Sequence, residues 1–327
     1  MSGPRLRVAV VGAGDFGRNH ARVYGQLEEA ELVAVVDADP ERARRVAEEF
    51  STSTLPDVES LRGKVDAASL VVPTIHHAQV GCRLLELGID ILVEKPMAAS
   101  VAEADRLIEA ARRYNRVLQV GHLERFNPAM VAVAGVVQQP LYFEVHRLGV
   151  FSPRSLDVDV VYDVMIHDLD ILLALAASPV AEVRSLGIPV VTDKVDIAHA
   201  RLEFASGAVA SVTASRVSIE RVRKMRFFQA HEYISVDYGR QDALRIRVRQ
   251  PGPNPQFDFE QLPTRPQEPL EGELRAFLDA VRRRAVPVVD GAAGRRALEL
   301  ADRVMAGILE HGRSVQLAAF ARPQANS

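Results

Sequence analysis

The sequence predicts an α/β protein with two domains: a doubly wound parallel sheet in residues 1–121, and an α+β domain with a large, mostly antiparallel open sheet in residues 122–327. In the first third of the chain, apolar strand patterns alternate with helical patterns, as in a parallel sheet covered by helices on both faces. Beyond residue 121, short strand patterns follow one another with hairpin turns between them, which favours antiparallel pairing. A length of 327 residues is sufficient for two domains of ordinary size.

The first domain is built from strand patterns separated by helix signals. Asp39 and Pro40 mark a helix start, because Asp is a favoured N-cap and Pro suits the first helical position. Ser100 and Glu103 have the spacing of a capping box before another helix. Strands are predicted over residues 6–11, 32–36, 65–72, 89–93 and 117–120, and helices over 16–27, 40–50, a segment ending at 88, and 100–114.

The second domain begins with an apolar helical pattern over residues 157–176 and then becomes rich in strand patterns. The dipeptide Ser206-Gly207 is a hairpin signal between two of those strands. Their apolar and polar residues alternate, which indicates a sheet with one covered face and one wetter face. Strands are predicted over residues 198–204, 208–217, 226–230 and 233–238, a proline-rich loop over 251–269, and helices over 271–284 and 291–311.

The segment Gly12-Ala13-Gly14-Asp15-Phe16-Gly17 follows the first strand and opens the first helix. Asp37, which ends the next strand, comes twenty residues after Gly17. This combination is the fingerprint of a Rossmann domain that binds a dinucleotide. Gly12 permits the tight turn, Gly14 lets the backbone approach the pyrophosphate, and Gly17 lets the helix pack closely against the strand.

The cofactor predicted at this turn is NAD. The helix N-terminus offers N–H donors and a partial positive charge to the phosphates, and Asp15 and Phe16 lie in the first helical turn beside it. Asp37 would accept hydrogen bonds from the adenosine ribose hydroxyls and repel the 2′-phosphate of NADP. Arg42 and Arg44 keep NADP in consideration, since a nearby arginine can turn toward a phosphate.

Three further segments accompany the glycine fingerprint: Pro73-Thr74-Ile75-His76-His77, Glu94-Lys95-Pro96, and Asp163-Val164-Met165-Ile166-His167-Asp168-Leu169-Asp170. Together, and in this order, they resemble the Gfo/Idh/MocA family of oxidoreductases, and the resemblance extends over about residues 5 to 313. It implies a Rossmann domain followed by a domain whose open sheet forms oligomer contacts, so that a homodimer or homotetramer is expected.

The resemblance also implies which residues lie beside the cofactor. Pro73 and Thr74 would shape the turn next to it, and Glu94 would contact it. His77 matches the position that contacts the nicotinamide ribose, and His76 is a competing candidate for that contact. By the same resemblance, Lys95 lines the active site between cofactor and substrate, and the peptide bond that follows Lys95 can be cis.

Asp163 and His167 match the spacing of the family's catalytic pair. Alcohol oxidation needs a hydride acceptor, which is the nicotinamide, and a group that takes the hydroxyl proton. His167 suits the second task because imidazole titrates near working pH, while Asp163, four residues earlier, would bind a sugar hydroxyl or hold the imidazole. Lys95 would hydrogen-bond the reacting oxygen, so we expect it to meet His167 over the nicotinamide. A metal is not expected, since no third ligand of similar quality accompanies the pair.

A narrower resemblance concerns the substrate. Residues 121–128, 157–163 and 213–218 resemble the branch of the family that oxidises C3 of UDP-N-acetylglucosamine, giving a 3-keto sugar for 3-amino sugars such as those of lipid A. A nucleotide-sugar carries two phosphate charges, which arginines bind well. The candidate substrate-binding residues are Arg125, Asn127, Arg154 and Arg216, with Arg147 as a further candidate.

Composition limits the binding partners, the cellular compartment and the functions that remain possible for the protein. The net charge of −3 gives no reason to expect a nucleic-acid partner, and no apolar run is long enough to span a membrane. A single cysteine, Cys82, excludes an intrachain disulfide and favours the reducing cytoplasm. Two alternatives stay open: a dehydrogenase of a free sugar or inositol-like polyol, and a non-catalytic regulator that senses NAD or a sugar. The presence of Lys95, Asp163 and His167 argues against the regulator.

Overall fold

A computed structural model describes residues 4–152 and 158–315, which fall into two compact units. The first unit contains the residues up to Phe126 together with Gln267–Leu298, and the second contains Asn127–Pro266 and the residues from Glu299 onward. The helices are α1 (Asp15–Gln26), α2 (Pro40–Glu49), α3 (His77–Glu86), α4 (Val101–Arg113), α5 (Pro128–Ala134), α6 (Ile166–Ala176), α7 (Pro269–Arg283) and α8 (Gly291–Ser314). None of the helices in these described ranges is both long enough and apolar enough to cross a membrane.

The sheet of the first unit has six parallel strands in the order β3-β2-β1-β4-β5-β6. Their bounds are β1 (Leu6–Val11), β2 (Ala30–Val36), β3 (Ser53–Thr54), β4 (Ala67–Leu70), β5 (Asp90–Glu94) and β6 (Leu118–Gly121). The strand order reverses between β1 and β4, which creates the switch point where open α/β sheets bind ligands. The predicted doubly wound sheet is confirmed, and only the two-residue β3 was not predicted.

The helix starts of the first unit follow the predicted caps. The Oδ1 of Asp39 accepts hydrogen bonds from the backbone N–H groups of Glu41 and Arg42, at 3.0 and 3.2 Å. The Oγ of Ser100 accepts from the Glu103 N–H at 3.3 Å, and the Glu103 carboxylate accepts from the N–H one residue before Ser100. These side chains satisfy N–H groups that have no partner inside the helix, so α2 and α4 begin where the sequence predicts.

The chain returns to the first unit near its end, which corrects the predicted domain boundary. Residues 267–298 were assigned to the second domain, because the sequence shows one texture change near residue 121 and none at the return. In the structure α7 packs on α1, and Leu274 and Phe277 lie fully buried in one apolar cluster with Tyr24. The burial of these large side chains stabilises α7 within the first unit.

The second unit contains an eight-stranded sheet in the order β14-β13-β12-β11-β7-β10-β9-β8. Its strands are β7 (Pro140–Val150), β8 (Val180–Ile188), β9 (Ile197–Phe204), β10 (Val209–Ser218), β11 (Val222–Gln229), β12 (Glu232–Asp237), β13 (Asp242–Gln250) and β14 (Gln256–Gln261). Strands β7 and β10 run parallel and the other neighbours antiparallel, so the predicted mostly antiparallel sheet is confirmed.

Alternation of burial along these strands produces the two unlike faces that the sequence predicts. Phe143, Val145 and Phe227 are buried on one face. Tyr142 and Phe228 lie on the opposite face, each 37% exposed, with their rings stacked at a centroid distance of 5.8 Å. One face of the sheet is therefore covered within the unit, and the other exposes aromatic and polar side chains.

Two expectations for the second domain were wrong in detail. The proline-rich segment 251–269 contains strand β14, an edge strand whose side chains are mostly exposed and therefore lack an apolar periodicity. The helix expected over 157–176 is a π-helical turn at Val161–Met165 followed by α6, while residue 157 lies outside the described ranges. A π turn has one more residue per hydrogen-bonded ring than an α turn and leaves no sequence signature.

Candidate functional site

Two glycines of the fingerprint are required by the packing of the chain itself. Gly12 has a φ of +103°, and a Cβ there would lie 2.5 Å from the carbonyl oxygen of Val71. A Cβ on Gly17 would lie 1.8 Å from the carbonyl oxygen of Gly12, at the point where α1 packs against the turn. Neither position accepts a side chain without displacement of backbone.

Gly14 is different, because nothing in the chain requires a glycine there. Its φ is −69°, which any residue adopts, and a Cβ would meet no atom within 4 Å. Gly14 is the N-cap of α1, where no side chain caps the helix, and Asp15 and Phe16 follow it as exposed residues. The space beside Gly14 and the uncapped N–H groups of α1 fit the pyrophosphate of a dinucleotide.

Asp37 lies at the end of β2, beside the glycine turn. Its Oδ2 accepts a 2.6 Å hydrogen bond from the N–H of Ala13, and its Oδ1 accepts a 2.8 Å bond from the N–H of Asp39. The Nη1 of Arg42 is 3.8 Å from Oδ1, and Arg44 forms ion pairs with acids of its own helix. Arg42 is therefore the arginine that lies near the ribose position, and Arg44 is not.

The turn after β4 holds Pro73, Thr74 and the two histidines. Thr74–His76 form a single 3-10 turn in which His76 is exposed. His77 is 1% exposed, with its Nδ1 2.9 Å from the carbonyl oxygen of Pro96 and its Nε2 2.8 Å from that of Val72. Burial lowers the pKa of His77, although the two backbone hydrogen bonds oppose this.

The structure places His77 against backbone groups, and its predicted contact with the cofactor stays a prediction. Both of its ring nitrogens lie within hydrogen-bonding distance of backbone oxygens, and the nitrogen that carries the proton donates to one of them, so the ring lies between the end of β4 and the segment that carries Lys95. His76, the competing candidate, is exposed at the same turn. A buried histidine between two carbonyl groups serves to hold the backbone, and sequence alone does not distinguish it from a ligand-binding one.

Glu94 and Lys95 end β5, and the Lys95–Pro96 peptide bond is cis, as the resemblance implied. One oxygen of the Glu94 carboxylate is 3.1 Å from the Nε2 of His20, and the other accepts a 3.1 Å bond from the Lys95 N–H. The Glu94 side chain is 14% exposed, and its carboxylate lies between protein donors rather than in the direct cofactor contact that the resemblance implied. Lys95 itself is half-buried.

In the second unit, Asp163 and His167 are carried by the π-helical turn and the start of α6. Both side chains are half-buried, whereas Met165 and Ile166 between them are fully buried. The hydroxyl of Tyr162 donates a 2.8 Å hydrogen bond to Asp302 on α8. The turn therefore keeps Asp163 and His167 partly exposed beside a buried core, and Tyr162 links it to α8.

Arg147 is bound to Asp168 inside the second unit. The guanidinium and the carboxylate make paired hydrogen bonds of 2.7 and 2.8 Å, and both side chains are almost fully buried. The guanidinium also lies 5.1 Å from the ring centroid of Tyr238. Arg147 is therefore a structural arginine that holds the start of α6 against β7.

Arg216, a predicted substrate ligand, is a structural residue too. Its Nε donates to Asp196 at 2.8 Å, its Nη1 to the carbonyl of Val158 at 2.6 Å, and its Nη2 to Thr192 at 3.1 Å. Burial would raise the pKa of Asp196, but three backbone N–H groups and Arg216 lower it well below its usual range. The prediction for Arg216 was wrong because its polar partner is supplied by the chain.

Asn127 is likewise committed to the fold. Its Oδ1 accepts from the Ala129 N–H at 3.1 Å as the N-cap of α5, and its Nδ2 donates to the carbonyl of Tyr238 at 3.1 Å. Arg125 is half-buried in the 3-10 turn Leu123–Phe126. Arg154 lies outside the described residues. The substrate contact expected of Arg125 stays a prediction.

Comparison with known proteins identifies the family. Residues 6–122 match the oxidoreductase family with an NAD-binding Rossmann fold, and residues 135–230 match the Gfo/Idh/MocA C-terminal domain. A UDP-N-acetylglucosamine 3-dehydrogenase from Acidithiobacillus ferrooxidans is 38% identical over 93% of this chain and 97% of its own. The chain belongs to the Gfo/Idh/MocA oxidoreductase family.

Other members of the Gfo/Idh/MocA family are similar to this chain in sequence or in structure. The solved structure of UDP-N-acetylglucosamine 3-dehydrogenase GnnA from Acidithiobacillus ferrooxidans superposes with a TM-score of 0.87 at 37% identity, covering 93% of this chain and 98% of that one. An inositol 2-dehydrogenase from Acidothermus cellulolyticus is 31% identical over 55% of this chain and 56% of its own. The protein is therefore an oxidoreductase with an NAD-binding Rossmann domain, and a purely regulatory role is set aside.

Sequence reasoning missed a group of buried polar residues in the first unit of this Gfo/Idh/MocA protein. His20 on α1, Ser69 on β4 and Glu273 on α7 are all fully buried. Their signal was present, since each lies at a core position of its element, where a polar side chain needs a specific partner. Among the residues that the structure describes, no cluster of three potential metal ligands was found.

Proposed function

We propose that this protein catalyses the NAD-dependent oxidation of the C3 hydroxyl of UDP-N-acetylglucosamine to the 3-keto sugar. The observation that carries the proposal is the 38% identity to a UDP-N-acetylglucosamine 3-dehydrogenase over 93% of this chain. A 3-keto sugar is the substrate that a transaminase requires to form a 3-amino sugar. We therefore infer a place in the synthesis of amino sugars such as those of lipid A.

The cofactor fits the first unit. When bound, NAD supplies the hydride acceptor of the reaction. The space beside Gly14 and the N-terminus of α1 suit its pyrophosphate. A carboxylate has about four lone-pair positions, and the two contacts of Asp37 with backbone N–H groups leave the others for ribose hydroxyls. A carboxylate at this position favours NAD over NADP.

In the proposed reaction, His167 takes the proton of the C3 hydroxyl as general base. Lys95 hydrogen-bonds the same oxygen and stabilises the negative charge that develops on it as the hydride leaves C3. Asp163 binds a neighbouring sugar hydroxyl or orients the imidazole of His167. The proposal requires Lys95 and His167 to meet at the reacting carbon when both ligands are bound.

The two phosphates of the substrate require positive charge. We propose the phosphate contact for Arg125, in the 3-10 turn Leu123–Phe126. Its half-buried position at the end of the first unit is compatible with a ligand contact. An arginine offers a diphosphate two parallel N–H donors, which a lysine does not.

The test is a coupled assay. Protein, NAD and UDP-N-acetylglucosamine are mixed with an aminotransferase and an amino donor, which remove the 3-keto sugar, and NADH is followed by absorbance. We expect NADH only when the nucleotide-sugar is present, and none from the Lys95→Ala variant, which should still bind NAD. A panel of other UDP-sugars tests the sugar, and absence of NADH with every UDP-sugar would remove the proposal.

A second candidate function is the oxidation of a free polyol or sugar. It is favoured by the 31% identity to an inositol 2-dehydrogenase, which covers 55% of this chain. The same assay with myo-inositol, scyllo-inositol and free N-acetylglucosamine distinguishes the two. A rate with inositol that exceeds the rate with every UDP-sugar would replace the first proposal with this one.

We also propose that the protein acts in the cytoplasm as a homodimer or homotetramer. Nucleotide-sugars and NAD are cytoplasmic metabolites, and a single cysteine suits a reducing compartment. The exposed aromatic residues Tyr142 and Phe228 on the open sheet favour an interface, since large apolar patches on monomers are uncommon. Light scattering of the purified protein measures the mass directly, and a monomeric mass would contradict the assembly.

A further inference from the structure

A chain of buried polar groups runs from the core of the first unit to the backbone of Lys95. The hydroxyl of Tyr24 is 2.9 Å from the Oγ of Ser69, which is 3.0 Å from the Nδ1 of His20. The Nε2 of His20 is 3.1 Å from one oxygen of Glu94, whose other oxygen accepts from the Lys95 N–H at 3.1 Å. Tyr24, Ser69 and His20 are all 0% exposed, so water does not reach these bonds.

The direction of each bond follows from counting protons. Neutral His20 with its proton on Nε2 donates to Glu94 and accepts at Nδ1 from the Ser69 hydroxyl, which in turn accepts from Tyr24. Every donor and acceptor in the chain then has a partner. A doubly protonated His20 would also donate to Ser69, and the hydroxyl proton of either Ser69 or Tyr24 would then have no acceptor among the described contacts. The hydrogen bonds are therefore complete when His20 donates through Nε2 to the Glu94 carboxylate.

We propose that His20 is a positioning residue for Lys95, which acts by holding the Glu94 carboxylate ionised and immobile beneath the Lys95 backbone. The proposal rests on the proposed function, in which Lys95 contacts the reacting oxygen. A lysine on a strand end reaches a fixed point only if its backbone is fixed, and here the backbone N–H is held by a side chain that is itself held.

The space around Glu94 supports this assignment. A Cβ on Gly121, in the neighbouring strand β6, would lie 3.0 Å from the Glu94 carboxyl group, so the carboxylate occupies space that only a glycine leaves open. Burial tends to raise the pKa of Glu94, but the hydrogen bond with His20, the charge of Lys95 and the hydrogen bond from the Lys95 N–H lower it overall. His20 thus makes the largest contribution that keeps this buried carboxylate charged.

A second carboxyl group faces the same region from α7. Glu273 is 0% exposed, and neither of its carboxyl oxygens has a hydrogen-bond partner among the described residues. Burial raises the pKa of Glu273 far above its usual value, and the nearby charge of Glu94 adds to this. Both effects favour the protonated form of Glu273, so we assign the negative charge of the cluster to Glu94, next to Lys95.

The experiment reports on Lys95 without any substrate. The chain has four lysines, and Lys64, Lys194 and Lys224 are exposed, so they serve as internal references. The intact protein is treated briefly with trace acetic anhydride at neutral pH, and the acetylation of each lysine is measured by peptide mass spectrometry. Wild type is compared with His20→Leu, which removes the hydrogen bond to Glu94, and with His20→Gln, whose amide can still donate to Glu94.

We expect the acetylation of Lys95 relative to the three references to rise about threefold or more in His20→Leu, because the neighbouring carboxylate has moved or become protonated. In His20→Gln the ratio should stay near the wild-type value. The same ratio in His20→Leu as in wild type would overturn the proposal. If His20→Leu does not fold, the proposal is tested with Ser69→Ala, which removes the donor to Nδ1 of His20. An unchanged acetylation ratio of Lys95 in Ser69→Ala overturns the proposal, and a raised ratio supports it.

Turnover provides a second reading. If the coupled assay detects activity, His20→Leu should lower kcat by about tenfold to a hundredfold with little change in the NADH dissociation constant, the size expected when a reacting group is misplaced. His20→Gln should recover most of that loss. The acidic limb of the pH profile of kcat/KM should lie at higher pH in His20→Leu than in wild type, because Glu94 protonates more easily. Equal kcat in His20→Leu and wild type contradicts the proposal, whereas inactive wild type contradicts only the proposed function.

Discussion

The Oδ2 of Asp37 accepts a 2.6 Å hydrogen bond from the N–H of Ala13, in the middle of the glycine turn. The carboxylate that is proposed to bind the ribose thus also fixes the turn that is proposed to bind the phosphates. The Nη1 of Arg42 lies 3.8 Å from the other oxygen of Asp37. Cofactor choice therefore depends on how Asp37 and Arg42 share one position.

Replacement of Asp37 by serine is expected to weaken NAD binding about tenfold, because one or two hydrogen bonds to a charged acceptor are lost. The same change removes one of the two carboxylates beside Arg42, whose Nη2 also lies 3.5 Å from Asp39, so the ratio of NADP to NAD affinity should rise by about tenfold or more. Titration of both cofactors by fluorescence measures this. The double variant Asp37→Ser with Arg42→Ala is the matched control, and its ratio of NADP to NAD affinity should not rise. An equal rise of that ratio in the single and the double variant would show that Arg42 does not contact NADP.

Substitution by alanine should lower the stability of the protein at Gly12 and its affinity for NAD at Gly14. Gly12→Ala combines a φ of +103° with a Cβ 2.5 Å from a backbone oxygen. It is expected to lower the free energy of unfolding by about 2–4 kcal/mol. Gly14→Ala has an ordinary φ and open space, so it should fold as stably as wild type, yet lose about tenfold or more in NAD affinity because the methyl group meets the phosphates.

Thermal unfolding and NADH titration of the two glycine variants separate these effects. Wild-type NADH affinity in a folded Gly14→Ala protein would contradict the phosphate position. A Gly12→Ala protein as stable as wild type would contradict the tight contact with the end of β4.

The sequence predicted the first unit closely because its elements carry strong local signals. Strands such as β1 are buried on both faces and read as continuous apolar runs, and Asp39 and Ser100 mark helix starts by their own hydrogen bonds. In the second unit, β13 alternates arginines with apolar residues and β14 is an exposed edge, so neither resembles a core strand. The return of residues 267–298 depends on contacts between distant segments, which no local pattern contains.

The predicted site residues also differ in how far their roles follow from local sequence. The glycines and Asp37 were predicted because a backbone turn that binds a dinucleotide needs those residue types at that spacing. For Arg216 and His77, the residue type indicates a need for a polar partner but not whether that partner is a ligand or the chain. The partner of Arg216 is Asp196, which comes twenty residues earlier, directly before β9, and is brought beside Arg216 by the pairing of β9 with β10.

Arg216 offers a direct test of that correction. Removal of one partner from a buried ion pair leaves an uncompensated charge, so Arg216→Ala should lower the free energy of unfolding by about 3–5 kcal/mol. Arg184→Ala, which breaks an exposed ion pair with Glu182 on the same sheet, is the control and should change it by less than about 0.5 kcal/mol. Urea denaturation measures both.

The alternative outcome for Arg216 is equally specific. If Arg216→Ala is as stable as wild type and raises KM for the nucleotide-sugar, the original prediction of a phosphate ligand stands and the structural assignment is wrong. An effect on stability together with an unchanged KM in the residual folded protein supports the assignment.

The buried carboxyl group of Glu273 should make the stability of the protein depend on pH in an unusual direction. Its pKa is raised on folding, so the native state retains a proton that the unfolded chain has lost. The stability that this group contributes is complete below the ordinary pKa of glutamate and is lost as pH rises toward the native value.

In Glu273→Gln this loss is removed, because the amide is neutral in both states. Between about pH 5 and about pH 8, wild type should therefore lose at least about 1 kcal/mol more than Glu273→Gln. Urea midpoints at several pH values measure the difference, and Glu28→Gln, an exposed change in the same unit, is the control and should follow wild type. Parallel curves for wild type and Glu273→Gln would mean that Glu273 is ionised in the native state, and the single negative charge of the cluster could then not be assigned to Glu94.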